Sequence, residues 1–292
     1  AFEGVDGCFA EDEAVADALT AIGHDLVIRG NLRLAQIGNF KALASVANGI
    51  LLKDNQSLAN LSGLDKIAKV DHSVTLEGNQ KLLHVDGLGG LKHGGSNGIT
   101  VVNNGQLQRL DGFTKLESAG EKLVVRDNGQ LQKLGTFASL IKVDHVTIQN
   151  NDQLKRIDGF NKLSECKTLR VVSNALVEQL AGFAQLVNAD EVYIQQQKSM
   201  QQLIAFANLT QAETLEISKN GNLTEMSFPK LHQLVSLTLK DNNAISNFGS
   251  LLALKYVQNL TICNNPQLSE AETDDFLKTL YKAPQKVTLE CK

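Results

Sequence analysis

A short pattern recurs through almost the whole chain at intervals of 22 to 27 residues. It reads apolar-x-apolar-x-x-Asn, as in VTLEGNQKL from Val74 and VTIQNNDQL from Val146. Its second apolar position occurs twelve times, at Ile28, Leu52, Leu76, Val101, Val125, Ile148, Val171, Ile194, Ile217, Leu239, Ile262 and Leu289. Because one such unit cannot bury its own apolar residues, the repeat predicts a solenoid whose neighbouring units stack around a continuous core.

Each unit is expected to contribute one short strand whose alternate side chains point inward. The predicted fold is therefore mainly β: a right-handed parallel β-helix, or leucine-rich-repeat-like solenoid, of about twelve coils with short helical caps at both ends. No Pro- or Ser-rich linker interrupts residues 24–292. We predict one elongated domain over 1–292, with an N-terminal cap (1–23), repeat coils (24–268) and a C-terminal helical cap with the last strand (269–292).

Local patterns indicate the two caps. Residues 11–22, EDEAVADALTAI, are typical of a short amphipathic helix. Ser269 followed by Glu272 is a capping box, which predicts a helix that begins there and ends near Lys282. Caps are needed because an open coil exposes apolar surface and unpaired strand edges.

An asparagine column accompanies the strands and is broken before the last unit only by Gln197. A buried amide both donates to and accepts from backbone groups, so these side chains are predicted to line an inner corner as a structural ladder. A second motif, as in LDGFTKL from Leu110, predicts phenylalanines stacked in the core rather than an aromatic ligand site. The ladder residues are Asn31, Asn55, Asn79, Asn104, Asn128, Asn151, Asn174, Asn220, Asn242 and Asn265.

The L-x-I-x-x-N strand, the L-x-G-F/L-x-x-L return and the coil length of 23 to 24 residues resemble the receptor L-domain family. That family includes the ligand-binding lobes of growth-factor receptors and microbial cell-surface and cell-wall proteins. The resemblance covers roughly 24–268 and implies a surface-exposed binding module. Two features depart from it: receptor lobes have about half as many coils, and they open with paired cysteines, whereas Cys8 has no nearby partner.

The four cysteines and the glycosylation sequons bear on the compartment. Cys263 and Cys291 occupy nearly equivalent places in the last two units, which predicts a disulfide bond; two reduced thiols in a cytosolic protein are the alternative. Cys166 is expected to be a buried thiol, and the pairing of Cys8 is open. Asn-x-Ser/Thr sequons occur at Asn55, Asn60, Asn208, Asn222 and Asn259, of which Asn55 belongs to the buried ladder, so a glycoprotein is one expectation.

Composition argues against several classes of function. The formal net charge is -4 with no basic block, so nucleic acid is not an expected partner. No apolar run is long enough to span a membrane. The six histidines are scattered and the carboxylates on the outward strand columns are dispersed, so we expect no metal site, no cofactor and no enzymatic activity.

The predicted function is a non-enzymatic extracellular or cell-surface binding or adhesion module for a protein or glycan partner. Arginine and tyrosine are frequent in binding hot spots, and a central patch of outward residues is the candidate surface. The alternative is a structural building block that contacts copies of itself in a wall, scale or filament; a third reading is an intracellular scaffold, which would carry free thiols. The patch residues are Arg126, Gln149, Arg170, Tyr193 and Gln195.

The chain begins at Ala1 rather than Met, which a removed leader or a trimmed end would explain.

Overall fold

The structure is a computed structural model that describes residues 2–3, 18–38, 40–134 and 137–291. The chain divides into two compact units, 1–152 and 153–292, each of which is described by itself. The protein is mainly β, and it forms a parallel β-solenoid of about twelve turns, with six of the repeat strands in each unit. The prediction of one domain over the whole chain stays a prediction.

The first unit contains a long parallel sheet and a short one. The long sheet has the order β1-β3-β5-β7-β9-β10-β11, and the short sheet has the order β2-β4-β6-β8. The strands are β1 (Phe2–Glu3), β2 (Ala21–Ile22), β3 (Leu26–Arg29), β4 (Ser45–Val46), β5 (Gly49–Lys53), β6 (Lys69–Val70), β7 (Ser73–Glu77), β8 (His93–Gly94), β9 (Gly98–Val102), β10 (Lys122–Arg126) and β11 (His145–Gln149). Two 3-10 turns, Asp86–Leu88 and Asp111–Phe113, lie between strands.

The second unit repeats this plan. Its long sheet has the order β13-β15-β17-β19-β20-β21, and its short sheet has the order β12-β14-β16-β18. The strands are β12 (Arg156–Ile157), β13 (Thr168–Val172), β14 (Gln179–Leu180), β15 (Asn188–Gln195), β16 (Gln202–Leu203), β17 (Gln211–Ser218), β18 (Glu225–Met226), β19 (Gln233–Lys240), β20 (Tyr256–Cys263) and β21 (Lys286–Thr288). A 3-10 turn covers Gly249–Ala253, and helix α1 covers Glu270–Thr279.

The repeat positions occupy the same register in successive strands. In β7, Val74 and Leu76 are buried while Ser73, Thr75 and Glu77 are partly exposed. Leu76 pairs in register with Leu52 of the preceding coil. The apolar residues of the repeat therefore form continuous buried columns, as the sequence pattern predicts.

The asparagine side chains lie inside and connect each coil to the one before it. In a representative coil, Asn79 Oδ1 accepts from the backbone N–H of Asn55 at 3.1 Å, and Asn79 Nδ2 donates to the Leu52 carbonyl at 2.8 Å. The same two bonds recur at Asn220, which accepts from the Gln197 N–H at 3.0 Å and donates to the Ile194 carbonyl at 2.9 Å. These two amides thus each satisfy one buried donor and one buried acceptor of a neighbouring coil.

The residue before each ladder amide adopts a left-handed backbone, with φ between +53° and +69°. This conformation is favourable for Gly and tolerated by Asn and Asp, and eight of the eleven residues are of these types. The exceptions are Ser173, Gln196 and Lys219. The column consists of Gly30, Asp54, Gly78, Asn103, Asp127, Asn150, Ser173, Gln196, Lys219, Asp241 and Asn264.

The phenylalanines form stacked rows inside each unit. Phe113 and Phe137 have ring centroids 5.8 Å apart, and Phe183 stacks on Phe206 at 5.9 Å. The nine phenylalanines from Phe40 to Phe276 are each at most 2% exposed. Packing in the core therefore accounts for this column.

The C-terminal coils hold a helix and a disulfide bond. The Ser269 hydroxyl accepts from the Glu272 N–H at 3.1 Å, so α1 begins at the predicted capping box. Phe276 of α1 stacks on Phe248 at 4.2 Å. The predicted Cys263–Cys291 disulfide is present with its Cα atoms 5.7 Å apart, and Cys166 is a buried thiol that donates to the Thr168 carbonyl at 3.3 Å. Cys8 lies outside the described residues.

Two of the predicted helix boundaries are wrong. Ala21–Ile22, predicted to end the N-terminal helix, form β2 and pair with Ser45–Val46, because this segment already belongs to the short sheet. Residues 11–17 of that prediction lie outside the described residues. Helix α1 ends at Thr279 rather than near Lys282, because the chain extends at Leu280 and the Tyr281 N–H donates to the Lys255 carbonyl at 3.0 Å.

We predict that Gln197→Asn stabilises the protein. Gln197 Oε1 is buried without a hydrogen-bond partner, whereas the shorter asparagine places its oxygen as in the neighbouring coils. A buried unsatisfied acceptor costs about 1–3 kcal/mol, and losing one buried methylene offsets roughly 0.8 kcal/mol. The urea midpoint should rise by an amount equivalent to about 1 kcal/mol. The reverse change, Asn220→Gln, should lower it; a lower midpoint for Gln197→Asn would contradict the ladder geometry.

We predict that Gly112→Ala destabilises the protein by at least about 2 kcal/mol, since overpacking against backbone forces neighbouring coils apart. A Cβ at position 112 would overlap the Val85 carbonyl oxygen of the coil before it. Gly129→Ala is the matched control, because a Cβ there meets nothing within 4 Å. Thermal unfolding of both variants measures the difference, and equal melting temperatures would show that the coils are not packed this closely.

The disulfide gives a redox prediction. Closing a loop of 28 residues stabilises by roughly 3 kcal/mol in the chain-entropy account, so Cys291→Ser should lower the melting temperature and remove its dependence on reductant. Cys166→Ala, which leaves the bridge intact, should stay sensitive to reductant. Thiol titration of the denatured, unreduced protein should detect no more than two thiols; a count of four would disprove the bridge.

Candidate partner-binding surface

The predicted patch residues lie on the outward side of the long sheets. In the first unit, Arg126 ends β10 and is paired in register with Gln149, which ends β11. Arg126 is exposed and forms an ion pair with the Asp127 carboxylate. These two residues are neighbours, and their part in binding stays a prediction.

In the second unit, Arg170 and Tyr193 form a preorganised pair. They are register partners on β13 and β15, and the Arg170 guanidinium carbon lies 4.1 Å from the centroid of the Tyr193 ring. Arg170 Nη2 also donates to Glu191 Oε2 at 2.9 Å. Gln195 is the last residue of β15. It lies two residues after Tyr193, so both side chains are on the same outward face of the strand.

The surroundings of Tyr193 raise the pKa of its hydroxyl. Burial raises the pKa of Tyr193 above 10.0, the negative charge of Glu191 adds to that rise, and Arg170 partly opposes it. The ion pair is nearly half exposed, at 45% for Arg170 and 37% for Glu191, so its contribution to stability is small. Its effect is to hold the guanidinium plane against the ring, where a cation–π contact at an exposed site contributes about 0.5–1 kcal/mol.

Glu191 was missed by the sequence reasoning. β15, β17, β19 and β20 each have eight residues, but Glu191 lies in the five-residue part of β15 that pairs with β13, where its register partner is Thr168. Its carboxylate therefore reaches Arg170 diagonally across the two paired strands. The signal that would have found it is its position two residues before Tyr193, which places both side chains on one face of a strand.

The two coils that carry this pair and the coil after them also break the rules of the repeat. They contain all three left-handed residues that are not Gly, Asn or Asp, namely Ser173, Gln196 and Lys219. The ladder position of the middle coil is Gln197. Glu216, in register with Tyr193, interrupts the threonines of the same outward column. We name the outward residues Arg170, Glu191, Tyr193, Gln195 and Glu216 the sheet-face patch.

Within the described ranges, no group of three or more His, Cys, Asp or Glu residues is placed to hold a metal ion. The described helices include none that is both long and apolar enough to cross a membrane. The carboxylate nearest to Lys53 on its outward column, Glu77, lies 3.0 Å from the lysine Nζ in a half-exposed ion pair.

No protein-family model matches the sequence, and no curated protein matches it either. The structure is similar to that of the pneumococcal vaccine antigen PcpA, with 12% sequence identity and a TM-score of 0.28 over 93% of this chain and 90% of that one. It is also similar to a leucine-rich repeat protein from Bacteroides ovatus, with 12% identity and a TM-score of 0.19 over 94% and 88% of the two chains. At these TM-scores neither likeness carries an argument, and the resemblance to receptor L-domains stays a prediction.

Proposed function

We propose that this protein is a non-enzymatic extracellular or cell-surface binding module and that the sheet-face patch of its second unit contacts the partner, a protein or a glycan. The observation that carries the proposal is the coincidence of the patch with the three irregular coils. Repeat proteins gain stability from consistency between coils. Residues that depart from such consistency concentrate at functional sites.

The chemistry of the patch supports recognition. Arg and Tyr are enriched among residues that dominate binding energy. Their mutual stacking and the Glu191 contact fix both side chains before a partner arrives, which reduces the ordering cost of binding. A parallel sheet beneath them, hydrogen-bonded coil to coil, adds a rigid support.

The compartment is supported by the disulfide. Structural disulfides form and persist in oxidising environments and are rare in the cytosol. The Cys263–Cys291 bridge therefore favours a secreted or surface location over an intracellular scaffold. Self-assembly as a wall or filament building block stays a prediction from the sequence.

The proposal predicts that Arg170→Ala and Tyr193→Ala weaken partner binding at least tenfold without lowering the melting temperature. Both side chains are partly exposed, and the strand pairing beneath them does not use them. Fluorescently labelled protein titrated onto the surface of cells of the producing organism gives the saturable binding to be measured.

Thr238→Ala, on the same outward column two coils from Tyr193, is the matched control and should bind normally. Unchanged binding by both Arg170→Ala and Tyr193→Ala would refute the sheet-face patch. A parallel loss in the control would show that the whole face, rather than the patch, is responsible.

A further inference from the structure

A second polar and aromatic site lies near the last coils of the second unit, away from the sheet-face patch. It is a cleft of about 260 Å³ lined by residues of β19, β20 and the segment between α1 and β21. Pockets for drug-sized ligands hold roughly 300–1,000 Å³, so this cleft has room for one small ring of a longer ligand. Tyr256 lines it, and Tyr281 packs edge-on against Tyr256 with centroids 5.5 Å apart.

The two tyrosines are exceptional in their exposure. Tyr256 is 47% and Tyr281 is 72% exposed, whereas the nine phenylalanines from Phe40 to Phe276 are buried. An exposed pair of rings at right angles presents two flat apolar surfaces with polar hydroxyl tips. Such surfaces suit the C–H face of a sugar ring.

Side-chain amides surround the rings. Gln233, Gln258 and Gln285 all line the cleft and come from three successive coils: Gln233 is in register with Tyr256, and the Gln285 N–H donates to the Gln258 carbonyl at 2.8 Å. None of the three side-chain amides forms a hydrogen bond with any part of the chain that the structure describes. Each therefore offers both a donor and an acceptor to a ligand hydroxyl.

The charge of the cleft is positive. No Asp or Glu is among its lining residues, while Lys282 is exposed there without an ion-pair partner among the described residues. Lys255 adds a second ammonium, 5.6 Å from the Tyr281 ring centroid, although its Nζ is directed to the carbonyls of Leu252 and Thr279 at 3.5 and 3.4 Å. A carboxylate on the ligand would lie favourably beside Lys282.

We propose that this cleft binds a uronic-acid residue of an acidic glycan. The sugar ring packs on Tyr281 and Tyr256, the ring hydroxyls bond to the glutamine amides, and the carboxylate pairs with Lys282. The site shares no residue with the sheet-face patch, so it does not depend on the proposed function and stands or fails separately from it.

Titration with tetragalacturonate, an acidic tetrasaccharide, and with neutral cellotetraose tests the proposal. The chain has no tryptophan, and two of its three tyrosines, Tyr256 and Tyr281, lie at this cleft, so intrinsic tyrosine fluorescence responds to a ligand bound there. We expect saturable binding of tetragalacturonate that weakens at least tenfold in Tyr281→Ala. Lys282→Gln should reduce it to the level of cellotetraose. Both residues are exposed, and unchanged melting temperatures verify that the variants fold.

Lys240→Gln is the matched control for Lys282→Gln, since it removes a lysine at the end of β19 that does not line the cleft, and it should leave tetragalacturonate binding intact. Absence of saturable binding at millimolar tetragalacturonate, or equal binding by Tyr281→Ala, would overturn the site. Equal binding of the neutral and acidic probes would overturn the assignment of an acidic ligand. Unchanged binding of Arg170→Ala in the cell-surface titration would count against the sheet-face patch only. The two proposals are therefore distinguished.

Discussion

The buried amide between coils is the interaction on which the rest of each unit depends. A strand of four or five residues leaves its terminal N–H and C=O groups at a corner where no further strand pairing is available, and leaving them unsatisfied in the core costs about 1–3 kcal/mol each. The asparagine side chain has an acceptor oxygen and a donor nitrogen at the spacing needed to reach both groups of the preceding coil. Asn104, for example, accepts from the Asn79 N–H at 3.1 Å and donates to the Leu76 carbonyl at 3.0 Å. Repeating the contact fixes the register of the coils along the row.

The amide reaches its partners only because the residue before it has a positive φ. That turn redirects the chain so that the next side chain points into the corner, and it explains why Gly78 and Asp54 stand where a strand former would otherwise be placed. Close coil stacking imposes a second constraint at the return turn, where Gly87 and Gly112 each face a carbonyl oxygen of the coil before. The two positions together set how tightly successive coils can pack.

The sequence contained enough to predict the solenoid, its strand positions, the ladder and the disulfide, because each of these follows from a residue type repeated in a fixed place. It did not reveal features that depend on residues outside the repeated positions. The contact of Glu191 with Arg170 has no signature in the repeat, because Glu191 stands one residue before the first apolar position of the motif in β15. The pairing of Ala21–Ile22 depends on tertiary context in the same way, since a two-residue strand has no periodicity of its own. The cleft at Tyr256 forms because the chain after α1 comes back beside the start of β20, where the Tyr281 N–H bonds to the Lys255 carbonyl.

The aromatic residues of the core are phenylalanines, whereas those proposed to contact a ligand are tyrosines, which carry a hydroxyl group. Phe206 and Phe228 stack at 5.3 Å in the interior, where a phenol oxygen would need a buried partner that the apolar column does not supply. The tyrosines stand outside, and two of them are next to a positively charged side chain: Tyr193 beside Arg170 and Tyr281 beside Lys255. Because the repeat dictates the residues of the interior, the outward positions are the ones that are free to differ between coils. Departures from the repeat on that side are therefore where function is best sought.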